Sequence, residues 1–132
     1  MDPEIDEDLD RKVKCLPALV NRDSWLVHRG RFVSLDFVIQ IESAKYFVSV
    51  ERGRVRVSVD KRLTPAYTFA LRGSAATWRS FWQHLPPPPF HDIFAMSHRA
   101  DLRIEGDLRP LMANLLYFKD MLAAPRTNSG RV

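Results

Sequence analysis

One segment, RFVSLDFVIQIES from Arg31 to Ser43, restricts the fold more than any other: Val33, Leu35, Phe37, Ile39 and Ile41 are apolar at every second position. Ser34, Asp36, Gln40 and Glu42 point the other way. A period of two places one face on a core and the other toward water, the pattern of a half-buried strand. Two more runs repeat it, Tyr46, Val48 and Val50, then Val55, Val57 and Val59, with Arg52-Gly53 between them as a two-residue hairpin turn. That turn sets Val50 opposite Val55, Val48 opposite Val57 and Tyr46 opposite Val59. A similar turn at Ser43-Ala44 sets Ile41 opposite Tyr46, Ile39 opposite Val48 and Phe37 opposite Val50. The apolar residues then share one face, which predicts a three-stranded antiparallel meander with one oily and one wet side.

Helical spacing flanks this sheet. Leu9, Val13, Leu16, Leu19 and Val20 predict a short amphipathic helix before the meander, with Pro17 near its end, and Trp25, Leu26 and Val27 extend the layer. After Asp60, KRLTPA is too long and too proline-interrupted for a tight hairpin, so the chain is expected to cross to another part of the sheet. A fourth strand carries Tyr67, Phe69 and Leu71 inward. Ser74 is placed to cap a helix bearing Trp78, Phe81, Trp82 and Leu85, and PPPP at 86–89 ends it. FHDIFAMS reads as a short apolar turn or helix, Leu102 and Ile104 as a fifth strand, and Asp107 as the cap of a last helix. Domain organisation is then an acidic, disordered terminus over residues 1–10, one α+β domain over 11–124, and a flexible tail over 125–132.

The chain has 132 residues, enough for one core that holds without staples. Its lone Cys15 has no internal disulfide partner and leans toward a reducing, cytoplasmic compartment. MDPEIDEDLD has six acidic residues and no apolar stretch, so it does not read as a signal or transit peptide. No apolar run reaches the roughly 18 residues of a membrane helix. The net charge of +4 conceals an asymmetry, because the first ten residues hold six of the sixteen acids while all twenty basic side chains follow them. A basic body attracts nucleic acid, anionic surfaces or acidic ligands, and it also describes many ordinary soluble surfaces.

Catalytic signals are missing. The sequence has no G-x-S-x-G elbow, P-loop, H-E-x-x-H or dinucleotide glycine fingerprint, so no catalytic residue, metal ligand or cofactor is expected. His91-Asp92 reads as a loop histidine beside a capping aspartate rather than a metal pair. His28, His84 and His98 read as surface or packing residues. Cys15 reads as a small core residue rather than a nucleophile.

The apolar inventory says more. Projected as one helix, residues 108–122 spread Leu108, Leu111, Met112, Leu115, Leu116, Phe118 and Leu122 over an arc wider than one sheet face needs. Lys119 falls inside it. Its plain reading is a lysine snorkelling to water, and its functional reading is an ammonium set to meet the carboxylate or phosphate head of an amphiphile. Trp78 and Trp82 read first as core and second as a cavity wall.

In this order of elements the chain resembles the sterol carrier protein 2 domain. DLRIEGDLRPLMANLL is similar to that family's strand-Gly-Asp-helix passage, with the break at Gly106 and Asp107. SAATWRSFWQHLPPPPFHDIF resembles stand-alone bacterial members in which a tryptophan helix runs into a proline-rich loop, and YFVSVERGRVRVSV fits the second and third strands. The family's Gly-Lys pair at the start of the fifth strand is replaced by Ala100-Asp101. The resemblance implies a five-stranded, mostly antiparallel sheet with helices on one face. It also implies an apolar cavity between sheet and helices, lined by Phe69, Trp78, Phe81, Trp82, Phe94, Ile104, Leu108, Leu111, Met112, Leu115 and Lys119. The implied function is non-catalytic carriage of a sterol, fatty acid or acyl-CoA-like amphiphile, with a homodimer as one assembly open to the chain. The alternative is an interaction or dimerisation module with a filled core, partner of a lipid-metabolism enzyme. RNA binding on the sheet face with Arg54 and Arg56 is disfavoured, because Phe47 is almost the only aromatic there for a base to stack on.

Overall fold

A computed structural model describes residues 6–59, 66–99 and 102–129, with the backbone alone for 127–129. The crossing segment expected after Asp60 and the Ala100-Asp101 pair lie outside the described residues. Five strands form one sheet in the order β3-β2-β1-β4-β5, where β1 is Ser34–Ile41, β2 Ala44–Glu51, β3 Arg54–Ser58, β4 Phe69–Gly73 and β5 Leu102–Gly106. The β1·β4 pair is parallel and the others are antiparallel. This is the expected α+β architecture.

The second hairpin has the predicted register: Val50 faces Val55 and Val48 faces Val57 across Arg52 and Gly53, both with positive φ. Pairing ends at Phe47 and Ser58, so Tyr46 does not meet Val59, which is exposed. The first hairpin differs. Its loop is Glu42-Ser43 rather than Ser43-Ala44, so Ile41 faces Ala44, Ile39 faces Tyr46 and Phe37 faces Val48. The shift is two residues, and a period of two preserves the faces: Phe37, Ile39, Tyr46 and Val48 are all buried. The opposite face is not wholly wet, since Val38 and Ala70 are also buried.

The helices break more often than the sequence periodicity suggests. The first becomes α1 (Glu7–Lys14), α2 (Leu16–Asn21) and α3 (Ser24–Arg29), with Pro17 opening α2 rather than closing a longer helix. Asp6 caps α1 through the Asp8 and Leu9 amides, and Leu9 is in the core. Order therefore begins inside the segment expected to be disordered. Asn21 at the end of α2 exchanges two hydrogen bonds with the Val55 backbone, at 3.0 and 2.8 Å. Its amide covers the exposed edge of β3 where another strand would add.

Beyond the sheet's fourth strand, α4 (Ala75–Phe81) is capped by Ser74 as expected. It stops before the prolines, leaving Leu85 82% exposed instead of in the core. Tyr67 likewise lies outside β4 and is exposed; its hydroxyl accepts from Arg72. Asp92 caps α5 (Ile93–His98), the role predicted for it beside His91. The last helix is two: α6 (Arg109–Ala113) and α7 (Leu115–Ser129), divided at Asn114, whose side chain donates to the Pro110 carbonyl. Asp107 is not the cap expected of it: the N-cap position of α6 falls on Leu108, which makes no side-chain capping bond, and Asp107, one residue earlier, accepts from the Arg109 amide. The chain does not leave the helix at residue 125. Pro125 is buried within α7, and Arg126 ties the following turn to α4 by donating from Nε to the Phe81 carbonyl.

Phe37 and Phe69 face each other across the parallel pair with rings stacked at 4.9 Å, and Phe118 of α7 meets both edge-on. Gly106 ends β5 opposite Phe69 with φ +106°. A β-carbon there would lie 2.5 Å from the Thr68 carbonyl oxygen and 2.9 Å from the Phe69 α-carbon, so only glycine both turns and approaches that closely. Gly106→Val is expected to destabilise the domain by about 1–3 kcal/mol. A denaturant melt with an unchanged midpoint would contradict the assignment.

Candidate functional site

The eleven residues predicted to line a cavity separate into three environments. Phe69, Trp78, Phe81, Trp82 and Leu111 are buried. Phe94, Ile104, Leu108, Leu115 and Lys119 are half-buried, and Met112 is exposed. The tryptophans follow their plainer reading. Their rings stack at 5.0 Å, with Phe81 edge-on to Trp78 at 5.7 Å. Each indole N–H is used inside the protein: Trp78 donates to the Gln40 carbonyl at 3.0 Å and Trp82 to the Leu122 carbonyl at 2.8 Å. A buried indole needs such a partner, and these bonds fix α4 to both the sheet and α7.

The division at Asn114 explains why the arc projected over residues 108–122 does not form one continuous wall. Leu111 turns inward from α6, whereas Met112 and Leu116 are 56% and 66% exposed. Three recesses open to the outside around α7. One, about 660 Å³, lies between α2, α3 and α7, with Leu19, Trp25, Leu26, Ala123 and Ala124 and the charged Arg22, Asp23, Arg29 and Asp120 as its walls. A second, about 380 Å³, runs along Arg29, Met112, Leu115 and Leu116. A third, about 180 Å³, is bounded by Phe81, His91, Lys119 and Arg126. Of the predicted residues, Met112 and Leu115 border the second, and Phe81 and Lys119 the third. Of the walls of the first, Leu19, Trp25 and Leu26 were read in the sequence only as part of a packed helical layer. The available signal for that recess is the small pair Ala123-Ala124, which leaves space beside an otherwise bulky helix.

Lys119 does not simply reach to water, for its Nζ lies 3.2 Å from Asp92 Oδ2. Partial burial pushes the Asp92 carboxyl up, but the Phe94 N–H and the Lys119 ammonium outweigh it and hold it below the ordinary carboxylate value. Burial lowers the guanidinium pKa of Arg126, which sits over the Phe81 ring. Cys15 is partly buried, donates from Sγ to the Lys12 carbonyl and has its thiol pKa pushed up by burial. That is the opposite of what an activated nucleophile requires. Among the described residues no group of three or more His, Cys, Asp and Glu is placed to hold a metal ion. No described helix is long and apolar enough to cross a membrane.

No protein-family model and no curated protein sequence matches the chain. Solved structures do match, over nearly its whole length. A crystal structure of sterol carrier protein 2 aligns with a TM-score of 0.64 at 10% identity, covering 88% of this chain and 94% of that one. The sterol carrier protein domain 2 of Helicoverpa armigera gives 0.57 at 14% identity, covering 100% and 95%. A stereoselective inverting sec-alkylsulfatase from Pseudomonas sp. gives 0.53 at 11% identity, covering 69% of this chain but only 14% of the enzyme. The order of strands and the single parallel pair thus define an α+β domain. The chain has the sterol carrier protein 2-like fold.

The Asp92–Lys119 pair carries a pH dependence of defined sign. Because the folded carboxyl lies below its ordinary value of 3.8, its contribution is present above that value and is lost as the pH falls through the folded one. Partial solvent exposure of both groups limits the contribution to about 0.2–1 kcal/mol. NMR titration of the Asp92 carboxyl is expected to give a midpoint below 3.8 that moves upward in Lys119→Met. A midpoint indifferent to that substitution would show that the ion pair does not form.

Proposed function

We propose that this is a non-catalytic carrier domain, located in the cytoplasm, that binds an amphiphile of the sterol, fatty acid or acyl-CoA class. The observation that carries the reading is a sterol carrier fold whose last helix is flanked by recesses, walled by apolar and charged residues together, large enough for a small ligand. Burial of a hydrocarbon tail supplies the driving force, about 0.8 kcal/mol per CH₂. Of the residues predicted to line the site, Met112 and Leu115 border one recess and Phe81 and Lys119 another. Phe69, Trp78, Trp82 and Leu111 form the packed layer behind them, with Phe94, Ile104 and Leu108 at its margin.

A second reading, an interaction or dimerisation module, is favoured by one observation. The aromatic layer between sheet and helices is packed ring on ring, while Trp25, Phe32, Met112 and Leu116 are more than half exposed. Exposed apolar surface of that kind also suits a protein partner. Native mass spectrometry of the protein purified from its own host separates the two. The carrier reading expects a reproducible adduct with the mass of a lipid. A protein without any adduct that co-purifies in fixed ratio with a second chain, or with itself, would contradict it.

A further inference from the structure

The sheet has two outer strands, β3 and β5, and among the described residues only the edge of β3 is closed. There the side-chain amide of Asn21 takes both the N–H and the carbonyl of Val55. On β5 the ladder itself shows which backbone groups are left over. The Asp107 amide donates to the Thr68 carbonyl at 2.8 Å. Hydrogen-bonded pairs alternate along an antiparallel ladder, so in the β4·β5 register they fall next on Ala70 with Glu105 and on Arg72 with Arg103. Leu102, Ile104 and Gly106 therefore turn their N–H and C=O groups away from β4, to the free edge. Among the described residues nothing takes up those groups.

An open edge of this kind takes another strand, and the side chains of β5 select which one. Arg103 and Glu105 are exposed on the outer face, while Ile104, opposite Leu71, is half-buried on the inner one. Residues opposite each other in an antiparallel pair share a face, so two copies of β5 can meet only with a two-fold axis through one of its residues. Three such registers pair more than one residue with its copy. An axis at Arg103 sets two arginines together, and an axis at Glu105 sets two glutamates together. An axis at Ile104 sets Arg103 opposite the partner's Glu105, and Glu105 opposite the partner's Arg103. Opposite charges facing each other stabilise a pair of strands and like charges destabilise it. The register that charge selects is also the one that pairs the whole strand, with Ile104 exchanging both of its outward hydrogen bonds with its copy.

Within one chain the charges are matched unevenly. Arg103 stands opposite Arg72. Glu105 accepts from Arg72 at 2.8 Å and lies 3.5 Å from Arg103, whose side chain is 70% exposed. The two arginines thus share one carboxylate. A partner's Glu105 supplies Arg103 with a second.

We propose that β5 is a homodimerisation edge, along which two copies pair antiparallel about Ile104 and join their sheets into one. No residue of β5 borders the recesses around α7, so the pairing stands whether or not the domain carries a ligand.

Sedimentation equilibrium of the full chain over a range of concentrations tests the pairing. The wild type is expected to pass from monomer to dimer as the concentration rises. Arg103→Glu alone sets glutamates against glutamates, and Glu105→Arg alone sets arginines against arginines, so each should weaken self-association about tenfold or more. Mixed in equal amounts, the two variants regain both opposite-charge pairs and should form a heterodimer about as tightly as the wild type pairs with itself. Melting curves confirm that each variant is folded, which matters most for Glu105→Arg because it also gives up the Arg72 contact. Amide exchange at Ile104, read by NMR, needs no variant and is expected to slow as the dimer forms; where a variant does not fold, it decides alone. A wild type that stays monomeric at millimolar concentration would overturn the proposal. So would single variants that dimerise like the wild type, a mixture that stays monomeric, or an Ile104 amide that exchanges equally fast at low and high concentration.

Discussion

The stacked rings of Phe37 and Phe69, closed by the edge of Phe118, hold the two halves of this molecule together. Phe37 belongs to the meander and Phe69 to the strand that arrives by crossover, and they meet in the one parallel pair of the sheet. Phe118 lies edge-on to both, at 5.9 and 5.6 Å. Offset and edge-to-face contacts add about 0.5–1.5 kcal/mol per pair to the area they bury. They also fix where α7 lies. The neighbouring Tyr117 then packs against Gly30, where a β-carbon would sit 2.3 Å from its ring, and donates its hydroxyl to the Gly53 carbonyl at 2.7 Å. Burial pushes that phenol above its ordinary pKa, so the donor keeps its proton across the ordinary pH range. Helix α7 is thereby tied to the meander turn and to the end of α3.

For the proposed ligand, tight packing on the inner side of α7 decides where it can lie. The tryptophan pair uses both indole N–H groups on backbone carbonyls and covers its faces with Phe81 and with itself. Opening that layer would break those bonds and the stacking together. The outer flanks of α7 make no such demand. There the residues are small, charged or exposed, and the groove against α2 and α3 exists without any rearrangement. A carrier fold with a packed inner layer can still hold an amphiphile if it does so on the outside of its last helix.

The sheet was legible because alternation is a property of consecutive residues. Its faces survived an error in the first hairpin, where the loop proved to be Glu42-Ser43, because a shift of two returns every side chain to its own side. The break at Gly106 was legible from the glycine and the following aspartate, and the roles of Ser74 and Asp92 from their positions before apolar turns. Helix ends were harder. Periodicity over 108–122 carried no sign that Asn114 would bond back to Pro110 and divide the arc, and that division is what exposes Met112 and Leu116. The tail past residue 124 read as frayed because Pro125 and the polar residues after it look like an ending. Its order comes from Arg126 meeting Phe81, a contact 45 residues away in sequence. The groove was the least legible feature, since its walls come from segments about a hundred residues apart and each wall alone looks like ordinary helix surface.

The central proposal is that an amphiphile binds this domain outside the sheet–helix layer. Methyl NMR of the protein titrated with a saturated fatty acid tests it most directly, because alanine, leucine and isoleucine methyls report from both places at once. Shifts are expected at Ala123, Ala124, Leu19 and Leu26, with Ile39 and Leu71 unmoved. Large shifts at Ile39 and Leu71, with Ala123 and Ala124 unmoved, would mean that the layer opens to take the ligand, and would contradict the account.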